Sequence, residues 1–416
     1  VSPYSWYALA VLSLVYMLNF VDRQILSILA NDIKADLRLT DADLGFLYGT
    51  AFAIFYALFG IPLGRLADAW NRTRLLGLGL ALWSGMTVLS GFARNANLLG
   101  IARVGVGVGE ATASPCAYSL IGDWFPSRLR ATALAIYSSG LFVGSGLSLV
   151  LGGAIVESWN HAFPAGGPLG LVGWQAAFLA VGLPGLPAML WVLSLREPAR
   201  QPAQAGAGAG PWRLFGRELL NLLPPLTLIG AMQRGNRAFA TNLAGAVFFA
   251  AMAYALASWS GNREQFVLLG LGYYAVFSWA CAQRHRDRET FDLTWGSRAF
   301  MGVVLAYAAV CFVGYSVTYW AAPYAERTFH ADKATLGWLL GAPAALGGFV
   351  GVICGGRLAD VLQARIAWGR MAVIAFGLIA PVPIVLIAYG TPSATLFYAL
   401  SFAVQFATSS ALGASA

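Results

Sequence analysis

Apolar runs of about 20 residues recur from one end of this chain to the other, and each is long enough for a helix to cross roughly 30 Å of hydrocarbon. They fall at about 4–30, 44–64, 75–93, 97–122, 131–156 and 173–195, then at about 241–259, 266–283, 299–323, 335–356, 371–390 and 394–416. The runs lack the strict period-two alternation of a membrane β-barrel. Only 11% of residues are charged and 58% are hydrophobic, whereas a soluble domain carries about a quarter charged residues. The chain therefore reads as an all-α polytopic membrane protein.

The connections between runs fix an orientation. NDIKADLRLTDAD, 31–43, holds four Asp against Lys34 and Arg38 and is expected to face outward. The next connection carries Arg65, Arg72 and Arg74, and every second one after it is again basic: Arg128 and Arg130, Arg196 to Arg217, QRHRDRE at 283–289, then Arg357, Arg365 and Arg370. Basic loops stay in the cytoplasm, so the amino terminus is expected there too. This placement also explains the net charge of +8 without nucleic acid. REPARQPAQAGAGAG, 196–210, has the composition of a linker. No cleavable signal peptide is expected, because the first run is too long and no small-residue cleavage site follows it.

An internal repeat sets the architecture. LGFLYG at 44–49 returns as LGWLLG at 336–341, and GRLAD at 64–68 returns at 356–360, both offset by 292 residues. The second and tenth runs are therefore equivalent, and the runs at 241–259 and 266–283 have no counterpart in the first half. The expected organisation is a six-helix bundle over 1–195, a cytoplasmic linker over 196–240, an inserted two-helix hairpin with its basic loop over 241–298, and the first four helices of a second bundle over 299–416. A complete second half would need two more spans after Ala416. Repeated halves with a site at their interface are a common plan for secondary transporters.

The stretch GRLADAWNRTRLL, 64–76, with Gly64, Asp68 and Arg72 in register, resembles the signature loop of the major facilitator superfamily. Asn71 stands where that loop has a second glycine, and asparagine also tolerates the left-handed conformation. RVGVGVGEA, 103–111, resembles the superfamily's fourth-helix motif through Arg103 and Gly107. NFVDRQILS at 19–27, Glu110 and SLIGDWFPSRLRATALAIYSSG at 119–140 are most similar to spinster-type transporters. The resemblance implies a major facilitator fold, two helical bundles that rock about a central cavity, here with the hairpin inserted between them. It further implies proton-linked movement of a lysophospholipid or a sphingosine 1-phosphate-like lipid, with a proton gradient in place of any cofactor. A proton-coupled exporter of drugs or other organic solutes is the alternative within the superfamily.

Charges in the runs mark the candidate site. Asp22 and Arg23 lie on the first run, where each charge costs about 2.5–3.5 kcal/mol near a helix centre. Arg103 and Glu110 stand two helical turns apart and point the same way. If the first and fourth helices line one cavity, these groups converge there. Asp22 or Glu110 then exchanges a proton, while Arg23 and Arg103 pair with the carboxylate or hold an anionic head group, a task suited to the arginine fork. A buried ion network that only fixes helix packing is the other reading. Gly64, Asp68 and Arg72 lie at the membrane edge and read as a cytoplasmic gate. In the second half, Tyr307, Phe312, Tyr315, Tyr319 and Trp320, with Phe397, Tyr398, Phe402, Gln405 and Phe406, replace charge by aromatic surface. Tyr315, Tyr319, Phe402 and Phe406 are candidates for an apolar cavity wall, or for packing against lipid and neighbouring helices. Gly140, Gly144, Gly152 and Gly153 on the fifth run form a helix-packing face.

Other classes find no support. The chain has no phosphate-cradling G-x-x-x-x-G-K-[ST] loop, no H-E-x-x-H and no G-x-S-x-G elbow, so no enzyme is expected. Cys116, Cys281, Cys311 and Cys354 stand singly in apolar runs and read as small core residues. His161, His285 and His330 are scattered, so no metal site is expected. The expected partners are the lipid bilayer and an amphiphilic substrate, the expected state a monomer, and the expected location a bacterial inner membrane.

Overall fold

The structure, a computed structural model, describes residues 2–199 and 210–415. Most of the Gly/Ala linker, from Arg200 to Ala209, lies outside the described residues. Among the described residues every element is helical. Ten of the described helices are long and apolar enough to cross a membrane: α1 (Pro3–Leu37), α2 (Asp41–Ala69), α6 (Ser127–Ala162), α7 (Gly173–Leu193), α10 (Asn236–Ser260), α11 (Arg263–Arg286), α13 (Arg298–Phe329), α14 (Lys333–Gln363), α15 (Gly369–Gly390) and α16 (Ala394–Ser415). The third expected run is the less apolar helix α3 (Arg72–Ser90), and the fourth is two shorter helices, α4 (Ala96–Glu110) and α5 (Ala113–Trp124). Pro115 accounts for that break, since it has no N–H to donate to the carbonyl of Ala111 and its ring clashes there.

Polar residues in the connections start the helices. Thr40 and Asp43 form a reciprocal capping box at the start of α2. Asn95 accepts the Leu98 N–H at 2.8 Å before α4, and Asp332 accepts the Thr335 N–H at 2.7 Å before α14. Asn71 does the same for Arg74 at 2.7 Å. Its φ of −65° is extended backbone rather than left-handed, so asparagine serves this loop as a helix cap. The outward connection is also shorter than expected, because α1 continues through Leu37. Trp174 donates to Asp36 at 3.0 Å and Lys333 pairs with Asp32 at 3.0 Å, which holds this extra turn helical. Within the segment expected as a linker, α8 (Pro211–Leu222) and α9 (Leu226–Gln233) are helices, followed after α11 by the short α12 (Arg288–Thr294).

The described chain forms two compact units. One contains the amino-terminal segment to Leu12, Leu37–Leu134 and Gly182–Arg298. Here the glycines of RVGVGVGEA let α4 approach its neighbours: a Cβ on Gly107 would meet the Phe52 carbonyl of α2 at 2.6 Å, and one on Gly109 the Gly79 carbonyl of α3 at 2.8 Å. Leu58 of α2, Leu222 of α8 and Ala275 of α11 make a shared apolar cluster. The other unit contains Ser13–Asp36, Ala135–Val181 and the chain from Ala299 onward. In it α6 presents its glycines to two partners, Gly140 and Gly144 to the backbone of α1 and Gly146 and Gly153 to α14. Of the four cysteines only Cys116 is buried, while Cys354 is exposed. A thiol on a membrane-spanning helix needs no burial, because lipid is as apolar as a core.

Candidate functional site

In the first unit, Arg103 and Glu110 are both completely buried, at 0% exposure. The Arg103 guanidinium lies over the Phe52 ring, 5.4 Å from its centroid, an arrangement in which the ring face stabilises the cation. Glu110 is the last residue of α4, directly before the break. Thr112 donates both its hydroxyl, at 2.8 Å, and its backbone N–H, at 3.2 Å, to the Gly109 carbonyl there.

At the end of α2, Asp68 is exposed and borders a cavity of about 510 Å³ with Arg65, Glu218 and Arg286. Arg72 is buried and turns elsewhere. Its Nη1 donates to Asp123 at 2.6 Å and to Ser119 at 2.7 Å, and its Nε donates to Glu197 at 2.7 Å. Burial works against the Arg72 charge, yet its hydrogen bonds to Glu197 and Asp123 outweigh it and raise the guanidinium above its ordinary pKa. Glu197 also accepts the Thr73 N–H at 3.1 Å, so one carboxylate ties the chain after α7 to the first turn of α3. Asp123 and Glu197 complete this cluster around Arg72 and carry no distinctive sequence signal of their own. Gly64, on the same helix, has only Pro115 near the position of a Cβ, at 4.0 Å.

In the second unit, Asp22 is buried at 2% exposure. Arg23 donates to the Tyr315 hydroxyl at 3.3 Å and lies over Phe20, 4.7 Å from the ring centroid. Phe20 and Tyr315 border a small cavity of about 100 Å³ whose other walls include Gln24, Thr318 and Gln405. It is apolar with a few hydrogen-bonding groups, and far smaller than the roughly 300–1,000 Å³ of a small-molecule pocket. Tyr319 is buried against Trp320, with ring centroids 5.0 Å apart, and Phe402 packs over Gly347. Phe406 brings its backbone carbonyl to within 2.6 Å of where a Cβ on Gly351 would lie. Of the four aromatic wall candidates, Tyr315 is the one that borders this cavity.

The most developed ion network in this unit is one the sequence did not single out. Lys333, 8% exposed at the first turn of α14, pairs with Glu326 at 2.8 Å and Asp32 at 3.0 Å and donates to the Ile28 carbonyl at 3.1 Å. Asn31 donates to Glu326 at 2.7 Å and accepts from Arg327 at 2.7 Å. Ser27 adds a hydrogen bond to the Tyr319 carbonyl at 2.6 Å. These contacts join α1 to α13 and α14.

Comparison with known proteins fits this picture. The family model described as Major Facilitator Superfamily matches residues 12–416. Over 213 residues, half of this chain and 46% of the relative, the chain is 35% identical to an MFS-type efflux pump of Mycolicibacterium smegmatis. It is 27% identical over 266 residues to protein spinster of Drosophila melanogaster, covering 64% of this chain and 39% of that one. The chain thus spans less than half the length of these curated relatives. Among solved structures it is similar to an inward-facing, unoccupied bacterial homologue of the human lysosomal transporter spinster, with a TM-score of 0.69, 28% identity, and coverage of 100% of this chain and 75% of that one. With its helical spans, its GRLAD loop and this match over nearly its whole length, the chain belongs to the Major Facilitator Superfamily, a family of membrane transporters rather than enzymes, and within it resembles spinster.

Proposed function

We propose that the protein is a secondary transporter that moves an amphiphilic lipid, a lysophospholipid or a sphingosine 1-phosphate-like molecule, by alternating access driven by a proton gradient. The observation that carries this reading is the complete burial of Arg103 and Glu110 on a helix that breaks immediately after the carboxylate. Ionisable groups inside a membrane helix are expensive and usually mark a transport pathway or proton relay. Asp22 and Glu110 act as the proton-exchanging carboxylates. Arg23 and Arg103 hold the head group or trade places with the proton as a carboxylate's partner. Tyr315 meets the apolar tail at the cavity it borders, with Tyr319, Phe402 and Phe406 packed behind that wall, and Gly64, Asp68 and Arg72 form the cytoplasmic gate. Likeness to spinster and to a bacterial spinster homologue supports the lipid assignment.

The helix pair α10–α11 is read as an insertion between two repeated halves. The constant offset of GRLAD and LGFLYG supports this, since it pairs α2 with α14 and leaves α10 and α11 unmatched. The protein works as a monomer in a bacterial inner membrane with its amino terminus in the cytoplasm. A second reading, export of drugs or other organic solutes, is favoured by the 35% identity to an efflux pump. Transport of a labelled lysophospholipid and of a cationic dye, measured side by side in proteoliposomes, separates the two. The lipid is expected to move and the dye to remain; movement of the dye alone reverses the assignment.

A further inference from the structure

A second polar site stands apart from the residues assigned to transport, at the end of the α10–α11 pair. Arg234 at the end of α9, Arg237, Thr241 and Asn242 in the first turns of α10, and Arg284 and His285 at the end of α11 line a cavity of about 420 Å³. No carboxylate is among its lining residues. Glu218 of α8 is already engaged, because it accepts a hydrogen bond from Arg286 at 2.9 Å.

Two side chains in this cavity have hydrogen-bonding capacity to spare. Arg234 donates Nη1 to Asn221 at 2.6 Å, while its Nε and Nη2 are buried without a hydrogen-bond partner in the protein. Burial, and to a lesser extent Arg286 nearby, pushes the Arg234 guanidinium below its ordinary pKa. Asn242 is 1% exposed, donates to the Ala238 carbonyl at 2.9 Å, and keeps a buried, unpartnered amide oxygen. A buried donor left unpaired costs about 1–3 kcal/mol, more if charged, so the arrangement favours a ligand that supplies acceptors. The start of α10 adds to the field. Its N-cap, Gly235, contributes no side-chain cap, and a helix amino terminus attracts anions.

We infer that this cavity is a binding site for a phosphate-bearing anion, held by the forked donors of Arg234 with Arg237 and Arg284, and with Asn242 accepting a hydroxyl of the ligand. Its place at the ends of two spanning helices, on the basic side of the chain, suits a phospholipid head group of the inner leaflet. A soluble phosphate compound presents the same oxygens. The site shares no residue with the proposed transport pathway, so it stands or falls separately from that reading.

The test is binding to the purified, delipidated full chain of phosphatidylglycerol, phosphatidylcholine and inorganic phosphate, followed by native mass spectrometry and by thermal shift. The double variant Arg237→Gln/Arg284→Gln changes two exposed side chains, and Arg213→Gln/Arg217→Gln serves as a charge-matched control outside the cavity. Preferential retention of phosphatidylglycerol over phosphatidylcholine, weakened at least tenfold in the double variant but not in the control, identifies a lipid head-group site. Stabilisation by inorganic phosphate without lipid preference, lost in the same variant, identifies a soluble phosphate site. Equal retention of both lipids with no response to phosphate overturns the inference, as does identical binding by the double variant and the control. Unliganded melting temperatures of the two variants confirm that folding is preserved; if the double variant melts early, Asn242→Leu replaces it, with the same loss expected.

Discussion

Lys333 holds two carboxylates and a backbone carbonyl at once, and it does so almost out of reach of water. Removing one member of such a buried group leaves the others uncompensated, which costs about 3 kcal/mol. Lys333→Met is therefore expected to lower the melting temperature of the purified protein clearly, while Glu326→Gln, which keeps the shape and the hydrogen bond from Asn31, is expected to lower it less. Equal melting temperatures for Lys333→Met and the parent would show that the network contributes nothing. Legibility at this scale followed from position in the run. Asp22, Arg23, Arg103 and Glu110 stand out because each interrupts an apolar stretch. Lys333 sits at the edge of one, where a lysine is ordinary, and its partners Asp32 and Ile28 lie on the first helix. Arg72 was legible as a motif residue, but Glu197, 125 residues away in sequence, was not.

Elements were readable where periodicity alone decides them and misread where a single residue overrides it. The run at 97–122 looks continuous in hydropathy, yet Pro115 splits it into α4 and α5, and that proline was available in the sequence as a warning. The glycine face of α6 was readable as a packing surface, but its two different partners, α1 and α14, were not. Gly144→Val places methyl groups against the Met17 carbonyl, and overpacking of this kind costs about 1–3 kcal/mol. The expected result is a lower melting temperature than that of Gly314→Val, a position with open space around it; equal effects would contradict a close α1–α6 contact. Helix ends behave in the same way. The Thr335 N–H holds the Asp332 carboxyl below its usual pKa, so folding favours the charged cap. Its stabilisation is complete above about pH 4 and fades as the pH falls through the lowered value. Asp332→Ala is expected to cost about 1 kcal/mol at neutral pH and progressively less in acid, read as the pH dependence of the melting-temperature difference from the parent.

For the whole molecule, membrane class, span positions and family were legible because lipid imposes a simple rule on helices, and because GRLAD occurs twice. What a linear pattern cannot carry is which charges meet, since those contacts depend on helices distant in sequence. In the proposed mechanism Asp22 and Glu110 couple proton movement to transport. The most direct measurement of that coupling is uptake of a labelled lysophospholipid into proteoliposomes with and without an imposed pH gradient, for the intact protein, Asp22→Asn and Glu110→Gln. The gradient is expected to drive uptake by the intact protein, and at least one substitution is expected to abolish that dependence while leaving the protein folded. Gradient-driven uptake that persists unchanged in both variants would mean that the buried carboxylates only hold helices together.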